Sequence, residues 1–177
     1  MKTYPFKEGE MKVLVTYYSQ TGNTEKLAKA IYEAIENVDK KILPVNEVGN
    51  VDTYDLIFCG FPVIASTVPN KVEGFLKNIP AGKKLAIFST HGSLRGGQLA
   101  VTAFDYAMSL ASKTKVIGTF GCRGKVKSSV IEALLKKPEH KAWAEEAQSS
   151  AAGHPDAADL ADGKDFAQKM VTKARSR

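Results

Sequence analysis

Tyr17-Tyr18-Ser19-Gln20-Thr21-Gly22-Asn23-Thr24 is the stretch that decides how this chain of 177 residues reads. The apolar run Val13-Leu14-Val15 precedes it, and a helix-patterned segment from Glu25 to Asn37 follows. A strand that passes through hydroxyls, an amide and one glycine straight into a helix builds an anion pocket. Backbone N–H groups at the helix start point toward the ligand, and the helix dipole favours negative charge there. Residues 19–24 contain no Lys or Arg, so a phosphate would be held by N–H groups and by the hydroxyls of Ser19, Thr21 and Thr24. The Gly-Lys-Ser/Thr ending of a Walker A loop is missing, and so is the three-glycine spacing of a dinucleotide fingerprint. One terminal phosphate monoester, bound without a metal, fits what remains. The same residue types also cap an ordinary strand-to-helix turn, so the surrounding chain must decide between the two.

Outward from this stretch, strand and helix patterns alternate. Met11 to Tyr18 reads as a strand buried on both faces, and Leu27, Ile31, Ala34, Ile35 and Val38 form an amphipathic helical stripe. Ile42 to Val48, interrupted by Pro44, reads as an edge strand. Tyr54 to Gly60 is a second buried strand, ending in the loop Phe61-Pro62-Val63-Ile64-Ala65-Ser66-Thr67-Val68. Pro69 takes a first helical position before the stripe Val72, Phe75, Leu76 and Ile79. Lys83 to Ser89 is the fourth strand, followed by Thr90-His91-Gly92-Ser93-Leu94-Arg95-Gly96-Gly97 and a helix near Gln98 to Ser112. Lys115 to Gly121 is the fifth, ending at Cys122-Arg123-Gly124-Lys125. Beyond it come a short helical piece with Val130, Ile131, Leu134 and Leu135, then a polar stretch around Trp143. A last helix starts near Asp156. Residues 1–10 read as an N-terminal arm and 11–177 as a single domain that includes the C-terminal helix.

Five alternations of strand and helix predict an α/β doubly wound parallel sheet with helices on both faces. Such sheets bind ligands outside the carboxyl ends of their strands, at the topological switch point. Four loops leave those ends, 19–24, 61–68, 90–97 and 122–125, and together they can wall a flat ligand whose phosphate sits in the first.

Composition narrows the class. Hydrophobic residues at 44% and charged residues at 25% are ordinary for a globular protein. No apolar run reaches the ~18 residues of a membrane span, and the start lacks the apolar core of a signal peptide. Cys59 and Cys122 lack metal-ligand spacing and read as reduced thiols in a cytoplasmic protein. Net charge is +6, and residues 113–141 hold 8 Lys/Arg against 2 Asp/Glu. Without an aromatic-and-basic recognition motif, that charge does not indicate nucleic-acid binding.

With these residues in view, the chain resembles the flavodoxin family. Ser19-Gln20-Thr21-Gly22-Asn23-Thr24 fits the family's Ser/Thr-x-Thr-Gly-Asn-Thr phosphate loop in its place after strand one. The similarity spans Met11 to Val171. Gly121 to Lys125, with Gly153-His154-Pro155-Asp156 and Asp159-Leu160, looks like a branch distinct from short-chain electron carriers. The resemblance implies a five-stranded sheet of order 2-1-3-4-5 and one non-covalent FMN. Ser19 to Thr24 would hold its phosphate, while Phe61, Pro62, Val63, Ile64, Thr90, His91, Gly92, Cys122 and Arg123 would line the ring. It also implies an electron-transfer role between a reductase and an acceptor protein or small oxidant. The alternatives are an FMN-dependent oxidoreductase acting directly on a quinone- or tetrapyrrole-like substrate, and a phosphate-binding module without flavin.

Three departures from the family follow. Neither 61–68 nor 90–97 contains Trp or Tyr, so the aliphatic residues, Phe61 and His91 are expected to supply the ring walls. Loop 61–68 has no Gly to present a carbonyl to flavin N5, so a stabilised neutral semiquinone is not expected. The family is typically acidic and this chain is basic. Arg123, Lys125 and Lys127 leave strand five on the ligand side, where cations within ~4–6 Å would favour an anionic reduced flavin. That charge also suggests an acidic redox partner. His91 is a candidate proton donor, and Cys122 a candidate thiol beside Arg123. A Cys59–Cys122 disulfide is not expected, because the implied order 2-1-3-4-5 puts one strand between theirs and separates them by ~9–10 Å.

Overall fold

The computed structural model describes residues 10–93 and 97–176. Residues 1–9 of the expected N-terminal arm, 94–96 of the loop after the fourth strand, and Arg177 lie outside them. Five strands, β1 (Lys12–Tyr17), β2 (Asp39–Pro44), β3 (Leu56–Pro62), β4 (Lys84–His91) and β5 (Lys115–Arg123), form one parallel sheet in the order β2-β1-β3-β4-β5. The helices are α1 (Asn23–Ala34), α2 (Asn70–Asn78), α3 (Gln98–Leu110), α4 (Ser128–Leu135), α5 (Lys141–Ser150) and α6 (Ala157–Arg175).

Burial on both faces explains the apolar strands. Val13 and Val15 of β1 join Phe58 and Phe88 in a core covered by Leu27 and Ile31 of α1 and by Phe166 and Val171 of α6. Leu14, on the alternate side, joins Ile57, Ile87, Val72 of α2 and Ala107 of α3 in the second core. The two thiols follow the same alternation. Cys59 belongs to the α2/α3 face and Cys122 to the α1/α6 face, and both are free and buried. Burial alone pushes the Cys59 thiol up to about 12.

Several boundaries differ from expectation. β3, β4 and β5 each run two residues past the expected ends at Gly60, Ser89 and Gly121, so Phe61, Pro62, Thr90, His91, Cys122 and Arg123 belong to strands. The edge strand is Asp39–Pro44, and Val45–Glu47 turns into a 3-10 helix. Pro44 therefore ends the strand and does not interrupt it, as suits a residue without an N–H. Pro69 is the N-cap of α2, with ψ 142 outside the helical range, and the helix begins at Asn70. The polar stretch around Trp143 is α5, whose inner face is Ala144 and Ala147.

The chain leaves β1, runs outward to β2, and returns past β1 to β3. That reversal makes the carboxyl ends of β1 and β3 the topological switch point of the sheet, where 19–24 and 61–68 emerge. An open depression of about 450 Å3, lined in part by Met11, Asp55, Lys83 and Arg175, lies at the opposite ends of the strands.

Candidate functional site

Loop 19–24 begins where β1 ends, its backbone tied to β3 by Tyr18 N–H donating to Gly60 O at 2.9 Å. Gly22 is the N-cap of α1 at φ 91, ψ −8, and no side chain caps the helix. A left-handed residue at that point suits glycine, which has no Cβ to clash. The first-turn N–H groups of any helix lack intrahelical partners, and here the N-cap glycine has no side chain to take them. Such an opening fits a phosphate.

Within the loop the side chains divide. Ser19 Oγ accepts the Gly22 N–H at 3.1 Å, and Thr21 is exposed. Thr24 behaves differently from expectation: it is 1% exposed, and its hydroxyl meets Thr90 Oγ1 at 2.8 Å. Its side chain therefore fastens the loop to β4. Asn23 likewise donates its amide to Lys125 O at 2.9 Å, and Gln20 reaches Tyr18 Oη at 3.3 Å. Glu25, in the first turn, pairs with Lys29 at 2.7 Å, whose hydrogen bond and charge lower its carboxyl below the usual range.

Loop 61–68 offers Pro62 and Val63, both half-buried, and Ile64, which is exposed. Phe61 is fully buried, its ring 6.3 Å from that of Phe104, so it packs against α3 and cannot be a ring wall. Val63 N–H donates to Thr90 O at 2.9 Å, tying this loop to the end of β4. Ile64 and Thr67 exchange both backbone bonds, at 3.2 and 3.0 Å, around Ala65 and Ser66, whose φ values are 49 and 63. Two consecutive left-handed residues without glycine make a strained two-residue hairpin turn.

At the end of β4, Thr90 and His91 are buried. The His91 Nδ1 lies 2.8 Å from Ser93 O, and its Nε2 points at Gly121, where an added Cβ would sit 2.9 Å away. Its ring thus belongs to the α3 side of the sheet, which corrects the expectation of a ring wall or an accessible proton donor. Cys122 is 0% exposed on the opposite face, away from solvent reagents. Arg123, also buried, donates from Nη2 to Gly92 O at 3.2 Å and to Glu146 Oε1 at 2.7 Å. Its guanidinium is engaged by protein acceptors, whereas Lys125 and Lys127 are exposed.

The structure therefore gathers 19–24, 62–64, 90–93 and 122–125 at one end of the sheet. It adds groups that the sequence reading did not single out for the site: Ser93, Glu146 and the ring of Trp143 over Gly92. Trp143 stood out as the lone tryptophan, but nothing local marks Glu146. His154 Nδ1 lies 2.5 Å from Asp159 Oδ2, and Asp156 is within reach. Asp156 and Asp159 form the reciprocal capping box of α6, a structural use of both carboxylates.

Comparison with known proteins agrees with this fold. Residues 14–168 match the model of the Flavodoxin domain. The chain is 31% identical over 175 residues to the flavodoxin-like domain-containing protein BilS of Clostridioides difficile (strain CD3), covering 93% of this chain and 98% of that one. Among solved structures, two-electron reduced Megasphaera elsdenii flavodoxin superposes with a TM-score of 0.54 at 26% identity, over 78% of this chain and 99% of that one. A Lactobacillus acidophilus NCFM flavoprotein in complex with FMN gives 0.50 at 21%, over 64% and 93%. With the family's motif at the head of α1 and its model matching most of the length, the chain belongs to the flavodoxin family.

Proposed function

We propose that this chain binds one FMN non-covalently and passes electrons between a reductase and an acceptor protein or small oxidant in the cytoplasm. The uncapped N-terminus of α1 behind left-handed Gly22, at the switch point of the sheet, carries this reading. The open N–H groups with the Ser19 and Thr21 hydroxyls would hold the phosphate. Pro62, Val63 and Ile64 would cover one side of the ring and Gly92–Ser93 the other. Bound FMN supplies the electron chemistry, and the protein contributes binding, orientation and electrostatics.

Exposed Lys125 and Lys127 at the exit of β5 support an acidic redox partner. They also support a reduction potential less negative than that of an acidic family member. Arg123 adds less to either, because Glu146 balances its charge. No helix among the described residues is long and apolar enough to cross a membrane.

The test is reconstitution with FMN followed by anaerobic potentiometry and activity assays. A carrier shows negligible oxidation of NAD(P)H alone and activity only with a coupled reductase and acceptor; separable one-electron midpoints would mean that it works in single-electron steps despite the missing loop glycine. Turnover of a small substrate by the protein on its own would instead assign the oxidoreductase reading. Colourless protein that no FMN concentration reconstitutes would refute both.

A further inference from the structure

We propose that Arg123, Glu146 and Trp143 form a clasp through which the α4–α5 excursion positions the loop after β4. In this scheme Arg123 is a positioning residue for FMN, not a cation in contact with it. The inference rests on the reading that Gly92–Ser93 flanks the flavin.

The clasp has a polar and an apolar half. Arg123 is the last residue of β5, and its Nη2 bridges Gly92 O at 3.2 Å and Glu146 Oε1 at 2.7 Å. Glu146 in turn accepts from Ser150 Oγ at 2.7 Å, which fixes the carboxylate on α5. On the apolar side, a Cβ on Gly92 would lie 2.5 Å from Val126 Cγ2 and 3.1 Å from Trp143 Cζ2. The loop backbone is thus pressed between the β5 exit and α5, which leaves room only for glycine.

The same junction reaches the phosphate loop. Gly124 N–H donates to His91 O at 2.9 Å, and Asn23 donates its amide to Lys125 O at 2.9 Å. Both ends of the proposed FMN grip are therefore held by three consecutive residues, 123–125. Ser93 Oγ and Arg123 Nε are buried without a hydrogen-bond partner among the described residues. Buried polar groups are rarely left so, and these two leave the junction with capacity for a ligand or water. Sequence places Glu146 23 residues from Arg123 and on another element. An isolated surface ion pair would contribute little, but here one partner is buried and bonded to a loop carbonyl.

Hydrogen exchange of the apoprotein and fluorescence titration of FMN test the clasp separately. Glu146→Ala should speed exchange across 91–93 and weaken FMN binding by about threefold to tenfold, the scale of one partly exposed charged pair. Glu146→Gln keeps an acceptor and should recover part of the loss. Arg123→Lys, lacking the guanidinium fork, should behave like Glu146→Ala. Glu145→Ala, on the neighbouring exposed position, should match the wild type in both readouts. Wild-type exchange and affinity in Glu146→Ala would overturn the clasp while leaving FMN binding intact. Failure of the wild type itself to bind FMN would instead refute the cofactor reading. Faster exchange without any change in affinity would remove the link to flavin, and that too overturns the proposal.

Discussion

Two glycines in this chain should respond with opposite signs to one chemical change. Gly22 sits at φ 91, ψ −8, and an added Cβ would find nothing within 4 Å. The cost of Gly22→Ala is therefore torsional, about 1–2 kcal/mol for an L-residue in a left-handed well. Gly74 lies inside α2, also with nothing within 4 Å of an added Cβ. There alanine removes backbone entropy from the unfolded chain and should stabilise by about 0.5–1 kcal/mol. For a domain of this size each kcal/mol moves Tm by about 2–4 °C. Apoprotein melts followed by far-UV circular dichroism should show Gly22→Ala lower by about 2–8 °C and Gly74→Ala higher by about 1–4 °C. Gly22→Asn should lose less, because asparagine tolerates this region. With excess FMN the gap between wild type and Gly22→Ala should widen, since ligand stabilisation grows with the logarithm of affinity and the variant, with its phosphate loop disturbed, should bind FMN more weakly. Shifts of the same sign for the two alanine variants would refute the argument, as would a Gly22→Ala melt identical to wild type.

Other outcomes follow from the same geometry. Replacing Ala65-Ser66 by Asn-Gly, the pair a type I′ turn favours, should relieve about 1 kcal/mol of strain per residue. A rise in the urea midpoint at constant m-value would show it, and an unmoved midpoint would count against strain. Thr24→Val should cost about 1–3 kcal/mol by leaving the Thr90 hydroxyl buried and unpaired. The double variant with Thr90→Val should recover much of that, whereas simple additivity in the double-mutant cycle would mean the two hydroxyls are not coupled. Acid should weaken the clasp. Glu146 is lowered by its hydrogen bonds to Ser150 and then Arg123, and Asp156 by the Asp159 N–H. A depressed folded value means the unfolded state binds more protons, so this stability is present above the ordinary carboxylate range and is lost as pH falls through the folded values. Denaturation at pH 6 and below pH ~4 should show a fall that Glu146→Gln and Asp156→Asn each reduce; an unchanged fall in both would disprove their part.

How much of this could be read from the sequence depends on what each residue is buried against. β1, β3 and β4 stood out because helices cover both faces, which demands runs such as Leu56-Ile57-Phe58 with every side chain enclosed. β2 reads as an edge strand but about three residues late, because an edge strand has one neighbour and can begin with Asp39-Lys40-Lys41. Lys40 lies over the Tyr32 ring at 4.3 Å and donates to the Tyr32 and Ile35 carbonyls at the end of α1, so its charge marks a helix terminus and hides a strand. α5 escaped for a related reason. Its inner face is alanine, which buries too little area to give a clear apolar stripe, and its outer face of Lys, Glu, Gln and Ser reads as a loop. The phosphate loop was legible because its chemistry is local, with eight consecutive residues and one required left-handed turn. The proposed ring-binding side is less legible, because the contacts around it are assembled across the chain: Thr24 with Thr90, Gly92 with Trp143, Arg123 with Glu146. Phe61 and His91 were assigned to the site by position in a loop, yet strand alternation continues through both and turns their rings toward α3. A residue at the carboxyl end of a strand reaches the ligand only if its parity, or its backbone, points there. In β3 and β4 that condition favours Pro62, Val63 and the Gly92–Ser93 backbone over the aromatic side chains.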